Sequence, residues 1–176
     1  MNKTNKTLFG IFLRYLIILL IALPNLFLFY FIFTPLTIYP VYYLSKLFFD
    51  SSVSGNMLSI NNNMTIELIG ACIAGSAYYL LLILNLSTPN IKIKKRLSMI
   101  LLSFLVFLIV NILRIFILIL MLSLNLNFFD ITHKIFWYSV STILVLGIWL
   151  FEIKLFKIKE IPVYSDIKYL FKFIKK

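Results

Sequence analysis

The sequence predicts an all-α integral membrane protein: about four transmembrane helices, a short interfacial helix and an extracytoplasmic loop or hairpin. Composition, apolar run length and charge placement lead there. Apolar side chains make up 62% of the 176 residues and charged ones 13%, with mean hydropathy +1.02. Soluble domains run near ~45–50% apolar and ~25% charged, so a water-soluble globule and a disordered chain are both excluded. Four apolar runs, at about 12–33, 69–88, 97–124 and 134–152, are long enough to cross ~30 Å of hydrocarbon. All but Lys46, Arg114 and Lys134 of the 17 basic residues fall in three clusters bordering those runs. The net charge of +11 therefore reads as membrane orientation rather than nucleic-acid binding.

The first run exceeds a signal-peptide core and lacks a small-residue cleavage site, so it is read as an anchor, kinked at Pro24. Residues 35–49, bounded by Pro35 and rich in Tyr, are too short to span and are expected to lie at the headgroups. Residues 50–65 are the most polar stretch. Leu58 and Ile60, then Met64, Ile66 and Leu68, alternate as a hairpin would, with a plain loop as the alternative. Asn63 begins an Asn-x-Thr sequon there, read as a chance match.

The second run opens with small residues, and Ala71 with Gly75 should let another helix approach closely. The third exceeds what a bilayer needs, which implies tilt or projection. The segment from Asn125 to His133 is a polar gap, and the basic tail 154–176 is expected to form a cytoplasmic amphipathic helix, with Ile167, Leu170, Phe171 and Ile174 at helical spacing. The charges place both termini and 92–96 in the cytoplasm of a multi-pass plasma-membrane protein, with 35–68 and 125–133 outside. The whole chain, 1–176, reads as one membrane-embedded domain. It contains no internal repeat, phosphate loop or metal-ligand cluster, so neither cofactor nor metal is expected, and a single Cys excludes an internal disulfide.

Three side chains stand out against the lipid. Cys72 falls near the outer end of the second run, Arg114 inside the third, and His133 at the outer end of the fourth. An Arg well inside a span costs roughly 2.5–3.5 kcal/mol on insertion scales, which marks it as functional unless it snorkels outward. A thiol near a cation and an imidazole has reason to ionise and attack, while His133 can move its proton and Arg114 can hold an oxyanion. Asn111, one turn before Arg114, is expected to orient the guanidinium, and Ser76 and Tyr79 share the Cys72 face at helical spacing.

Cys72 within Gly-Ala-Cys-Ile-Ala-Gly, Asn111-Ile-Leu-Arg114-Ile, and His133 before a final span resemble the exosortase/archaeosortase family over roughly residues 50–153. Many members carry Ser or Thr and then Gly directly after the Cys, whereas here Ile73 and Ala74 precede Gly75. Compact size and the Ile161–Asp166 tail are closer to the small archaeal members. The resemblance implies a membrane cysteine transpeptidase that cleaves the C-terminal sorting signal of surface proteins. That signal is a short motif, an apolar helix and a basic cluster. Cys72 would form a thioester that an amine or lipid-linked acceptor resolves, with His133 as acid/base and Arg114 as positioning cation. Expected partners are those substrate proteins and the bilayer, not nucleic acid. The alternatives are a cysteine protease releasing its product to water and a non-enzymatic scaffold or transporter subunit.

Overall fold

The computed structural model describes residues 3–23, 25–61, 64–124, 126, 129–135 and 141–174, and it is mostly helical. Pro24 and the sequon at Asn63 lie outside the described residues. Elements run α1 (Lys3–Ala22), α2 (Phe27–Lys46), β1 (Ser51–Ser54), β2 (Met57–Ile60), β3 (Met64–Glu67), α3 (Gly70–Ile73), α4 (Gly75–Leu86), α5 (Ile93–Ser123), α6 (Phe129–Ile135), α7 (Ser141–Leu155) and α8 (Tyr164–Ile174). Of these, α2 and α5 are long and apolar enough to cross a membrane.

Helix α5 is the axis of the bundle. Its buried residues, Arg96, Met99, Ser103, Phe107, Asn111, Ile115 and Ile119, recur almost every fourth position and so form one continuous stripe. On the opposite face Leu97, Leu101, Leu105, Ile109, Leu113 and Ile117 repeat the spacing yet remain exposed. A helix whose uncovered face is this apolar suits an apolar surrounding better than water.

Contacts along this axis give each neighbour its direction. Phe29 and Phe33 of α2 meet Phe104, and Phe48 meets Phe116, so α2 ascends with α5. Asn85 lies beside Arg96 and Tyr78 beside Phe107, so α4 descends. Ser141 meets Arg114, and Lys95 Nζ donates to the Phe156 carbonyl at the far end of α7, which therefore also descends. Arg14 and Arg96 both donate to the Leu86 carbonyl, which puts the middle of α1 at the same end, and Tyr79 meeting the Ile18 carbonyl shows that α1 ascends from there.

Two expectations about the first 49 residues need correction. The predicted span 12–33 is not one helix: α1 stops at Ala22, and Asn25 and Leu26 adopt positive φ before α2 starts. The segment 35–49 is not a separate interfacial helix, because α2 continues through Pro35 and Pro40 to Lys46. Each proline removes one helical hydrogen bond, but burial of Phe33, Thr37, Ile38, Val41 and Ser45 on one face holds the helix together. Phe33 stacks on Tyr78 with centroids 3.6 Å apart, and Phe104 and Phe107 present their edges to the Tyr78 ring.

The polar stretch after α2 is an antiparallel sheet in the order β1-β2-β3, with Ser52 opposite Ser59 and Leu58 opposite Ile66. The hairpin expectation is met, with a third strand added. Leu58 and Ile60 are buried, as their alternation implied. The fourth predicted span, 134–152, divides between the end of α6 and α7, with 136–140 outside the described residues.

At the other end, basic residues do more than mark a side. Arg96 donates to the carbonyls of Asn85 (2.9 Å), Leu86 and Thr88 (2.8 Å), closing the C-terminus of α4. Arg14 Nη2 pairs with Asp166 at 2.9 Å, and Tyr15 Oη donates to the same carboxylate, so α8 is tied to α1. Between these ends Glu152, fully buried, accepts a 3.1 Å hydrogen bond from Asn85 Nδ2.

The break between α3 and α4 falls at Ala74, whose φ of 58° is left-handed. Next to it, a Cβ on Gly75 would sit 2.8 Å from Cζ of Tyr30. The small residues thus admit an aromatic ring from α2 rather than a helix backbone. Gly75→Ala should destabilise the protein by about 1–3 kcal/mol, read as a lower melting temperature in detergent, and Tyr30→Ala in the same chain should recover part of the loss.

Candidate functional site

Where the sheet meets the bundle, a cavity of about 520 Å³ opens at the end opposite Arg14 and Arg96. Its walls come from α2 (Tyr30), β3 and the turn after it (Ile66 to Ile69), α3, the start of α4, the upper part of α5, α6 and the first residue of α7. Cys72, Arg114 and His133 all line it, although they lie on three different helices.

Cys72 sits on the single turn of α3, half-buried, with its N–H donating to the Ile69 carbonyl at 2.8 Å. The Ala74 N–H meets the Gly70 carbonyl, but the chain turns left-handed at Ala74 and the helical ladder does not continue past it to the Cys72 carbonyl. Asn111 supplies the missing donor: its Nδ2 lies 2.9 Å from the Cys72 carbonyl. Asn111 therefore positions the thiol's backbone and does not orient the Arg114 guanidinium as expected. The guanidinium is held from another helix, with Arg114 Nη1 donating to Ser141 Oγ at 2.8 Å. Arg114 Nε is buried without a hydrogen-bond partner among the described residues. The cation and the thiol are near enough to influence each other electrostatically. His133 is half-buried on α6.

Ser76 lines the cavity, but Tyr79 does not. Its hydroxyl donates to the Ile18 carbonyl of α1 at 3.0 Å. The expectation that Cys72, Ser76 and Tyr79 share a face assumed one unbroken helix, and the left-handed residue at Ala74 rotates everything after it. Tyr30, Glu67 and Ser141 line the cavity without having been singled out. The paired small residues Gly70 and Gly75 were the available sign of Tyr30, since only their lack of side chains lets its ring in. Ser141 and Glu67 carried no pattern of their own.

Chemically, the cavity offers a thiol, an imidazole able to move a proton and a cation able to meet a developing negative oxygen. Among the described residues no three His, Cys, Asp or Glu side chains gather as metal ligands. Replacing Asn111 with Leu, similar in size but without a donor, should cost about 1–3 kcal/mol of stability. It should also raise the rate at which a maleimide labels Cys72, measured by mass shift.

Compared with known family models, curated proteins and solved structures, the chain matches none.

Proposed function

We propose that this protein is a membrane-embedded cysteine transpeptidase that removes the C-terminal sorting signal of surface proteins and passes them to an amine or lipid-linked acceptor. The observation that carries this reading is the meeting of Cys72, Arg114 and His133 on one cavity despite separations of 42 and 19 residues. Resemblance to the exosortase/archaeosortase pattern supports the same roles for the same three residues. In this reading α1 with α2, α3 with α4, α5, and α7 are four passes of alternating direction. The basic end, with Arg14, Lys95, Arg96 and the α8 tail, faces the cytoplasm, and the cavity faces outward.

His133 takes the thiol proton as Cys72 Sγ attacks the scissile carbonyl carbon. Arg114 meets the oxyanion that forms. The C–N bond then breaks, and the departing amine leaves with the proton from His133, while the acyl group stays on sulfur as a thioester. An incoming acceptor attacks that thioester, and the thiol is restored as the acceptor's proton passes through His133. A substrate helix in the same bilayer would deliver its cleavage site to this outer end.

With a co-expressed, tagged substrate protein, Cys72→Ala should reduce processing by about 10³-fold or more, scored by gel mobility; unchanged processing rules out the nucleophile. Arg114→Lys should cost about 10²-fold, because a point charge cannot both hold Ser141 and present a planar fork. Mass spectrometry of the new C-terminus distinguishes transfer from hydrolysis: an acceptor-derived mass is expected, and a free carboxylate excludes transfer.

A further inference from the structure

We infer that the open edge of β3 is the docking strand for the extended segment of substrate that carries the scissile bond, an inference resting on the reading of Cys72 as nucleophile. Among the described residues the sheet order is β1-β2-β3, which makes β3 an edge. Its other neighbour is β2, and the pairing phase identifies which main-chain groups β2 leaves unused. Leu68 N–H donates to the Asn56 carbonyl at 2.9 Å, in register with Ile66 opposite Leu58 and Met64 opposite Ile60. Antiparallel pairing alternates, so Met64, Ile66 and Leu68 turn their main-chain groups toward β2, while Thr65 and Glu67 turn theirs outward. The Glu67 carbonyl already accepts from Ile69 N–H at 3.2 Å. The edge therefore offers the N–H and C=O of Thr65 and the N–H of Glu67.

Both residues are exposed, and β3 (Met64-Thr65-Ile66-Glu67) contains no proline or lysine to block pairing. The opposite edge of the sheet, β1, packs along α2. Position makes the free edge more than a liability. Ile66, Glu67 and Leu68 are walls of the same cavity as Cys72, and only four residues lie between Glu67 and the thiol. A strand laid on β3 would satisfy its backbone groups as it leaves water and run directly into the cavity. Arg114 lines that cavity, its Nε without a hydrogen-bond partner among the described residues, and a peptide carbonyl is the kind of acceptor it would take. Main-chain bonds accept many sequences, and only alternate side chains would reach the cavity wall.

The test uses the full chain in its membrane, carrying Cys72→Ala and Thr65→Cys so that position 65 holds its single cysteine. The probe is a co-expressed tagged protein ending in a polar motif, an apolar helix and a basic cluster, with one cysteine moved through six successive positions before the helix. Oxidation should give disulfides at every second position. A three-to-four-residue period, a flat pattern or no disulfide overturns the strand. Separately, Thr65→Pro removes one outward N–H without touching the β2 ladder, and should raise KM about tenfold with kcat within twofold; an unchanged KM also overturns the proposal. If processing survives Cys72→Ala, the chemistry of the cavity falls on that result alone, whereas lost processing without alternate crosslinks removes only the strand.

Discussion

The hydrogen bond from Asn111 Nδ2 to the Cys72 carbonyl is the constraint on which the cavity depends. It exists because two helices that would otherwise be one are separated at Ala74, whose N–H closes on the Gly70 carbonyl and leaves the Cys72 carbonyl to a side-chain donor. Tyr30 fills the angle so created, against Gly70 and Gly75, and becomes part of the cavity wall. Without the break, Cys72 would point wherever a straight helix placed it. Without Asn111, only the packing of Ile73 and its neighbours would join the turn carrying the thiol to the helix that carries Arg114.

A bundle whose outer surface is as apolar as its interior gains little discrimination from apolar burial alone. Leu101 exposed and Met99 buried are chemically close, so something else must choose the face. Here the choice follows a seam of polar side chains along the buried stripe of α5. Arg96 closes α4, Ser103 lies at the depth of Glu152 and Asn85, Asn111 holds α3, and Arg114 reaches α7. Each bond joins α5 to a different neighbour or a different depth, and together they fix rotation and register.

Much of this was legible in the sequence, for identifiable reasons. Length and unbroken apolarity announced α5, alternation announced β2 and β3, and charge clusters announced the basic end. The cost of an Arg within an apolar run drew attention to Arg114, and with Cys72 and His133 it does share one cavity. What escaped were features decided by tertiary contact. Two prolines inside α2 carry the local signal of a boundary, and the burial of one face of the helix on both sides of them, from Phe33 on Tyr78 to Val41 and Ser45, overrides it. Ala74 gives no local hint of a left-handed turn, so the face assigned to Tyr79 was wrong. Arg14 and Arg96 looked like orientation charges because nothing in a sequence reveals which carbonyls a helix end leaves unpaired.

The pair between Arg14 and Asp166 spans 152 positions. Synthesis runs from one to the other, so Arg14 is made long before the carboxylate that pairs with it. The helix carrying Asp166 thereby ties back to the first, and one ion pair, with the Tyr15 hydroxyl beside it, joins two segments from nearly opposite ends of the sequence.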